Sequence, residues 1–127
     1  MTGDREGPTA ISTIRDAGDG DAVASVPCRL EVVQTPDPAL RGAVTVLRPD
    51  EVLCIGRDVE DGLKIRDPKM SRLHVRIVWD PVLRGVRYGD AGSANGTFVN
   101  GDTKDSGPLL PGDVLRMGDT LLVCIER

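Results

Sequence analysis

An all-β, antiparallel sandwich is the fold that this 127-residue chain predicts. Three observations predict it. Apolar runs of roughly four to seven residues recur at intervals of about ten, which is strand spacing. Gly, Pro, Asn and Asp fill the gaps between the runs, and these are the residues that tight turns require. No stretch keeps a 3.6-residue apolar period with capping residues at its ends, so helices are not expected.

The elements follow in chain order. Residues 1–27 are rich in Gly, Asp, Ala, Ser and Thr and carry no apolar period, so they read as a disordered acidic tail. Asp19-Gly20-Asp21 looks like the start of a calcium loop, but Val23 stands where an oxygen ligand belongs, and no metal site is read there. The folded body is expected over 28–127. Cys28–Gln34 sets Leu30 and Val32 on one face against Arg29 and Glu31 on the other, the alternation of a half-buried strand. Thr35-Pro36-Asp37-Pro38 is a turn, and Ala43–Arg48 and Val52–Ile55 are β-branched runs parted by Pro49-Asp50. Asp58–Gly62 is an acidic loop, Leu63–Ile65 a short strand, and Asp67-Pro68 a break. His74–Trp79 alternates Val75, Ile77 and Trp79 with His74, Arg76 and Val78, and Val82–Tyr88 alternates less cleanly around Gly85. Thr97–Asn100 has strand character between two Asn-Gly steps. Asn-Gly favours tight turns because both residues tolerate positive φ. Asn95-Gly96 therefore predicts an exposed turn and Asn100-Gly101 a hairpin. Asp102–Gly107 reads as a loop, Pro111-Gly112 as a turn, and Val114–Met117 and Leu121–Glu126 as the last strands.

Charge and composition exclude several functions. The chain carries 16 basic and 20 acidic side chains, a net charge of −4. Residues 1–27 hold two Arg against five acids, or −3, leaving −1 for the body. Such a field draws neither nucleic acid nor an anionic membrane, so an anion site in the body must be made from aimed groups. One Trp, one Tyr and one Phe are too few for a single-strand stacking platform. Apolar runs stop short of membrane-spanning length, and the start of the chain lacks a secretory hydrophobic segment, so a cytoplasmic protein is expected. Cys28, Cys54 and Cys124 lie in apolar runs without metal-ligand spacing and read as ordinary buried thiols. With one His, no nucleophile–base pair and no metal cluster, neither enzymatic activity nor a cofactor is expected.

Three strand ends carry the residues that grip anions: Gly56-Arg57, Ser71-Arg72-Leu73-His74, and Asn95-Gly96-Thr97-Phe98-Val99-Asn100-Gly101. In this order and spacing, with Leu110-Pro111-Gly112-Asp113-Val114-Leu115-Arg116-Met117-Gly118 following, they resemble the forkhead-associated (FHA) domain. The resemblance covers about residues 28–127. It implies a sandwich of about eleven strands that binds phosphothreonine peptides with loops at one end. Arg57 offers a rigid fork for phosphate, Ser71 a hydroxyl donor, and Arg72 a further cation. Asn95 can hold a peptide backbone through both its donor and its acceptor. Gly56 and Gly96 serve backbone geometry, and His74 by resemblance ties the Ser71 loop in place. Ala94 departs from the family pattern, because many members place a phosphate-reaching side chain there. The loss of one charged hydrogen bond, about 1.5–3 kcal/mol, weakens binding roughly ten- to hundredfold. The expected partner is a phosphothreonine protein downstream of a Ser/Thr kinase. Such domains sit beside kinases, secretion components or transcription regulators, and thirteen Arg against three Lys suit a GC-rich bacterial genome. The alternative is a scaffold of the same fold that meets partners, or itself, without phosphate. Thr9 and Thr13 are candidate phosphorylation sites that could create a tethered ligand.

Overall fold

The computed structural model describes residues 28–125. The tail, with Thr9 and Thr13, and the last two residues lie outside them. Eleven strands occur among the described residues. They are β1 Cys28–Gln34, β2 Val44–Leu47, β3 Val52–Gly56, β4 Leu63–Lys64, β5 Val75–Asp80 and β6 Gly85–Asp90, then β7 Thr97–Val99, β8 Asp102–Thr103, β9 Ser106–Leu109, β10 Val114–Met117 and β11 Thr120–Ile125. A short 3-10 turn, Pro38–Leu40, is capped by the Asp37 carboxylate. The predicted all-β sandwich is the observed architecture.

Two sheets face each other. One has five strands in the order β9-β6-β5-β3-β4, the other six in the order β2-β1-β11-β10-β7-β8. All pairs are antiparallel except β3 with β4, which run parallel and match Ile55 to Leu63. That exception carries the chain across the end of the sheet and brings the segment after Gly56 to the loop end. Between the sheets, Leu30, Val32, Ile55, Val75, Ile77, Leu115, Met117 and Leu122 are buried, the inward set that strand alternation predicts. Cys28 and Cys124 join this core with their sulfurs 3.1 Å apart. Cys54 is half-buried.

Two local expectations are corrected. Asp102–Gly107 is not loop throughout, since β8 and the start of β9 lie in it. Gly107 and Pro108 hide β9 in the sequence. Proline is tolerated there because β9 is an edge strand paired only with β6, with Pro108 opposite Arg87. The predicted strand Val82–Tyr88 starts only at Gly85. The Asp80 carboxylate accepts the Val82 and Leu83 amides at 2.9 and 3.2 Å, and this turn holds Val82 and Leu83 exposed despite their strand propensity.

Candidate functional site: a donor cluster on one loop

The candidate residues meet on the segment Lys69–Arg72, between β4 and β5. Gly56 is where β3 touches it. A Cβ built on Gly56 would lie 2.1 Å from the Arg72 carbonyl oxygen, so only glycine admits this approach. The next two amides complete the seam, Arg57 N–H donating to Ser71 O at 2.9 Å and Asp58 N–H to Arg72 O at 3.0 Å. The Arg57 side chain then turns back, with Nε donating to Met70 O at 3.0 Å. That bond fixes the guanidinium plane and leaves both terminal nitrogens without a partner among the described residues.

Asn95 reaches the same segment from the β6–β7 loop. Its Nδ2 donates to Lys69 O at 2.9 Å, which orients the amide and leaves Oδ1 and a second N–H without a partner among the described residues. The Ser71 hydroxyl oxygen accepts from the Ala94 amide at 2.9 Å. With a lone pair occupied there, its own proton is available to an outside acceptor. Ala94 thus takes part through its backbone, although its methyl can reach no ligand. Arg72 lies exposed on the same segment, and no hydrogen bond or ion pair engages its side chain among the described residues. Lys69 makes an exposed pair with Asp119 at 3.4 Å, which is worth little in water.

His74 is completely buried and joins the two loops. Its Nδ1 accepts from the Ser71 amide at 3.0 Å, and its Nε2 lies 2.8 Å from Gly96 O. A carbonyl can only accept, so Nε2 carries the proton and the ring is spent on both sides. The geometry makes it a brace between Ser71 and the Asn95-Gly96 turn.

Two carboxylates that sequence reasoning passed over shape the cluster. Asp90 accepts from the Gly92 and Ser93 amides at 3.0 and 2.9 Å and from the Ser93 and Thr97 hydroxyls at 2.5 and 2.7 Å. Partial burial opposes its charge, but these bonds, led by the two hydroxyls, outweigh it and hold the carboxyl below the usual range. Ser93 passes the order on, its oxygen accepting the Gly96 amide at 3.0 Å. Asp67 is fully buried and accepts from the Lys69 amide at 2.9 Å, and from the Asp119 amide and the Thr120 hydroxyl at 2.8 Å each. It ties the donor segment to the β10–β11 turn. The sequence signal for both is an Asp placed just before a turn-forming residue, Asp67-Pro68 and Asp90-Ala91-Gly92.

The cluster thus holds a guanidinium, a hydroxyl and a carboxamide, each fixed by one bond to the protein and each with donors left over, with Arg72 beside them. This arrangement suits a compact, multiply charged oxyanion.

Comparison with known proteins identifies the family. The family described as the FHA domain matches residues 53–118. The human protein "Angiogenic factor with G patch and FHA domains 1" is 32% identical over 120 residues, covering 87% of this chain but 17% of its own length. The chain therefore spans less than a fifth of that relative. The solution structure of an FHA domain from an Arabidopsis thaliana hypothetical protein superposes with a TM-score of 0.73 at 27% identity, covering 85% of this chain and 92% of that one. A domain solved in a study of phosphothreonine-dependent FHA domain interactions gives a TM-score of 0.67 at 28% identity, covering 79% and 96%. With a family match over more than half its length and the same eleven-strand architecture, the chain belongs to the forkhead-associated domain family.

Proposed function

We propose that this chain is a phosphothreonine-dependent peptide-binding module that works downstream of a Ser/Thr kinase, as one part of a larger bacterial regulatory protein in the cytoplasm. One observation carries the reading: Arg57 and Asn95 are anchored to the four-residue segment that carries Ser71, and all three keep donors without a partner among the described residues. A phosphothreonine side chain brings nearly two negative charges and three acceptor oxygens. Arg57 clasps two of these oxygens, Ser71 donates to the phosphate, and Arg72 adds charge at its rim. Asn95 holds the peptide backbone through its free amide groups. The solved relative studied for phosphothreonine-dependent interactions supports the same ligand class.

Calorimetry with a phosphothreonine peptide library tests this. Binding should vanish when the peptides lack phosphate, and Arg57→Ala should cost about 2–5 kcal/mol of affinity. Equal affinity for phosphorylated and plain peptides would show instead a scaffold that meets its partners without phosphate.

A further inference from the structure

The four edges of the two sheets are guarded unequally. At one end of the five-stranded sheet β4 is only Leu63–Lys64, and at the other β9 carries Pro108, whose ring removes an amide donor. In the six-stranded sheet β8 is only Asp102–Thr103. The fourth edge, β2, is Val-Thr-Val-Leu, without proline, glycine or charge. Val44 and Val46 are 51% and 40% exposed on the outer face, and among the described residues no strand lies alongside.

The hydrogen-bond phase of β2 follows from the bulge before it. Gly42, at φ 77°, donates to Val32 O at 2.8 Å, while Val32 N–H donates to Ala43 O at 2.8 Å. An antiparallel ladder alternates from such a pair. In the register Leu30↔Thr45 and Cys28↔Leu47, Thr45 and Leu47 therefore bond to β1. Val44 and Val46 direct their amides and carbonyls away from the sheet, as an open template for another strand.

We propose that this edge joins two copies of the chain into a homodimer, with β2 pairing antiparallel to the partner's β2 about a two-fold axis at Thr45. The core of the strand is self-complementary. Val-Thr-Val reads alike in both directions, so Thr45 meets the partner's Thr45, and Val44 exchanges both backbone bonds with the partner's Val46. Charge agrees with the symmetry. Arg29 lies beside Val46 and Glu31 beside Val44, so each row across the joined sheets runs from Arg29 through two valines to the partner's Glu31, with no like charges opposed. A second copy of the same strand satisfies all of these terms. The contact is smaller than the roughly 1,200 Å² of an ordinary interface, so the dimer is weak and forms at high protein concentration. It joins two six-stranded sheets into one of twelve, with the two loop ends facing opposite ways. It makes no assumption about what those loop ends bind.

Sedimentation equilibrium of the full chain, from about 10 µM to about 1 mM, tests the proposal without any peptide. The weight-average mass should climb towards twice 13.6 kDa, and Val44→Lys with Val46→Lys should weaken association at least tenfold while the thermal transition stays in place. Under a glutathione redox buffer, Thr45→Cys should yield a disulfide-linked dimer and Val82→Cys, on an exposed turn of the other sheet, should not. A mass that stays monomeric throughout, or a dimer indifferent to the two lysines, overturns it. Slow hydrogen exchange at the Val44 and Val46 amides in a monomer also overturns it, because residues 1–27 then cover the edge.

Discussion

Asn95-Gly96 and Asn100-Gly101 are the same dipeptide, and the fold uses them for different ends. At the second, Asn100 and Gly101 both take positive φ, 52° and 89°, the backbone of a tight hairpin. It pairs Val99 with Asp102. Both ends of the Asn100 side chain are engaged, its Nδ2 donating to Asp113 at 2.9 Å and its Oδ1 accepting the Val114 amide at 3.0 Å. At the first, only Gly96 is left-handed, at φ 86°. Asn95 keeps an ordinary backbone and spends a single N–H on Lys69 O. One asparagine is closed on the protein and the other is held half-open towards solvent. A turn motif therefore predicts that the chain bends, but whether its side chain is free to bind depends on which carbonyls and carboxylates the fold brings beside it.

Substitutions test this division between the two turns. The largest effect is expected at His74, on which the first turn leans. His74→Ala leaves the Ser71 amide and the Gly96 carbonyl without their buried partner and should cost about 3 kcal/mol of stability by chemical denaturation, loosening the donor cluster as well. Next comes Asn95→Ala, which should weaken phosphothreonine-peptide binding about tenfold or more in calorimetry while the unfolding midpoint barely moves. Asn100→Ala should do the reverse, losing about 1–2 kcal/mol of stability through its two hydrogen bonds with peptide affinity unchanged. If the two asparagine variants behave alike, the division of labour between the turns is wrong.

The smallest effect concerns pH. Asp90, which shapes the first turn, has its carboxyl held below the ordinary range in the folded state. A depressed acid contributes stability that is fully present above its unfolded value, about 3.9, and is lost as pH falls through the folded value. The thermal midpoint of Asp90→Asn should therefore lie below that of the parent chain from neutral pH down to about pH 5, and the gap should close at lower pH. A gap independent of pH would mean that Asp90 acts through shape rather than charge.

The strands of the central sheets were legible because alternation is local: Cys28–Gln34 and Val114–Met117 lie where their inward residues place them. Asp102–Leu109 was not, since a two-residue strand has no alternation to read and a proline edge strand looks like a loop until its neighbour is known. The residue types at the donor cluster were legible as well, but their anchoring was not. Nothing local in Ala94 shows that its amide meets a hydroxyl 23 residues away, nor in Asn95 that it meets a carbonyl 26 residues away.

Local sequence sets where the chain extends, where it turns, and which side chains with spare donors stand at the strand ends, because backbone propensity and two-residue periodicity act over a few neighbours. Only the assembled fold fastens Arg57 and Asn95 to the segment that carries Ser71, sets a buried imidazole and two carboxylates to hold it, and leaves β2 without a neighbour on one side among the described residues. Those outcomes depend on how the sheets stack and register, since the bonds from Arg57 to Met70 O, from Asn95 to Lys69 O, between His74 and Gly96 O, and from Asp119 and Thr120 to Asp67 join groups far apart along the chain that only the assembled core brings within reach.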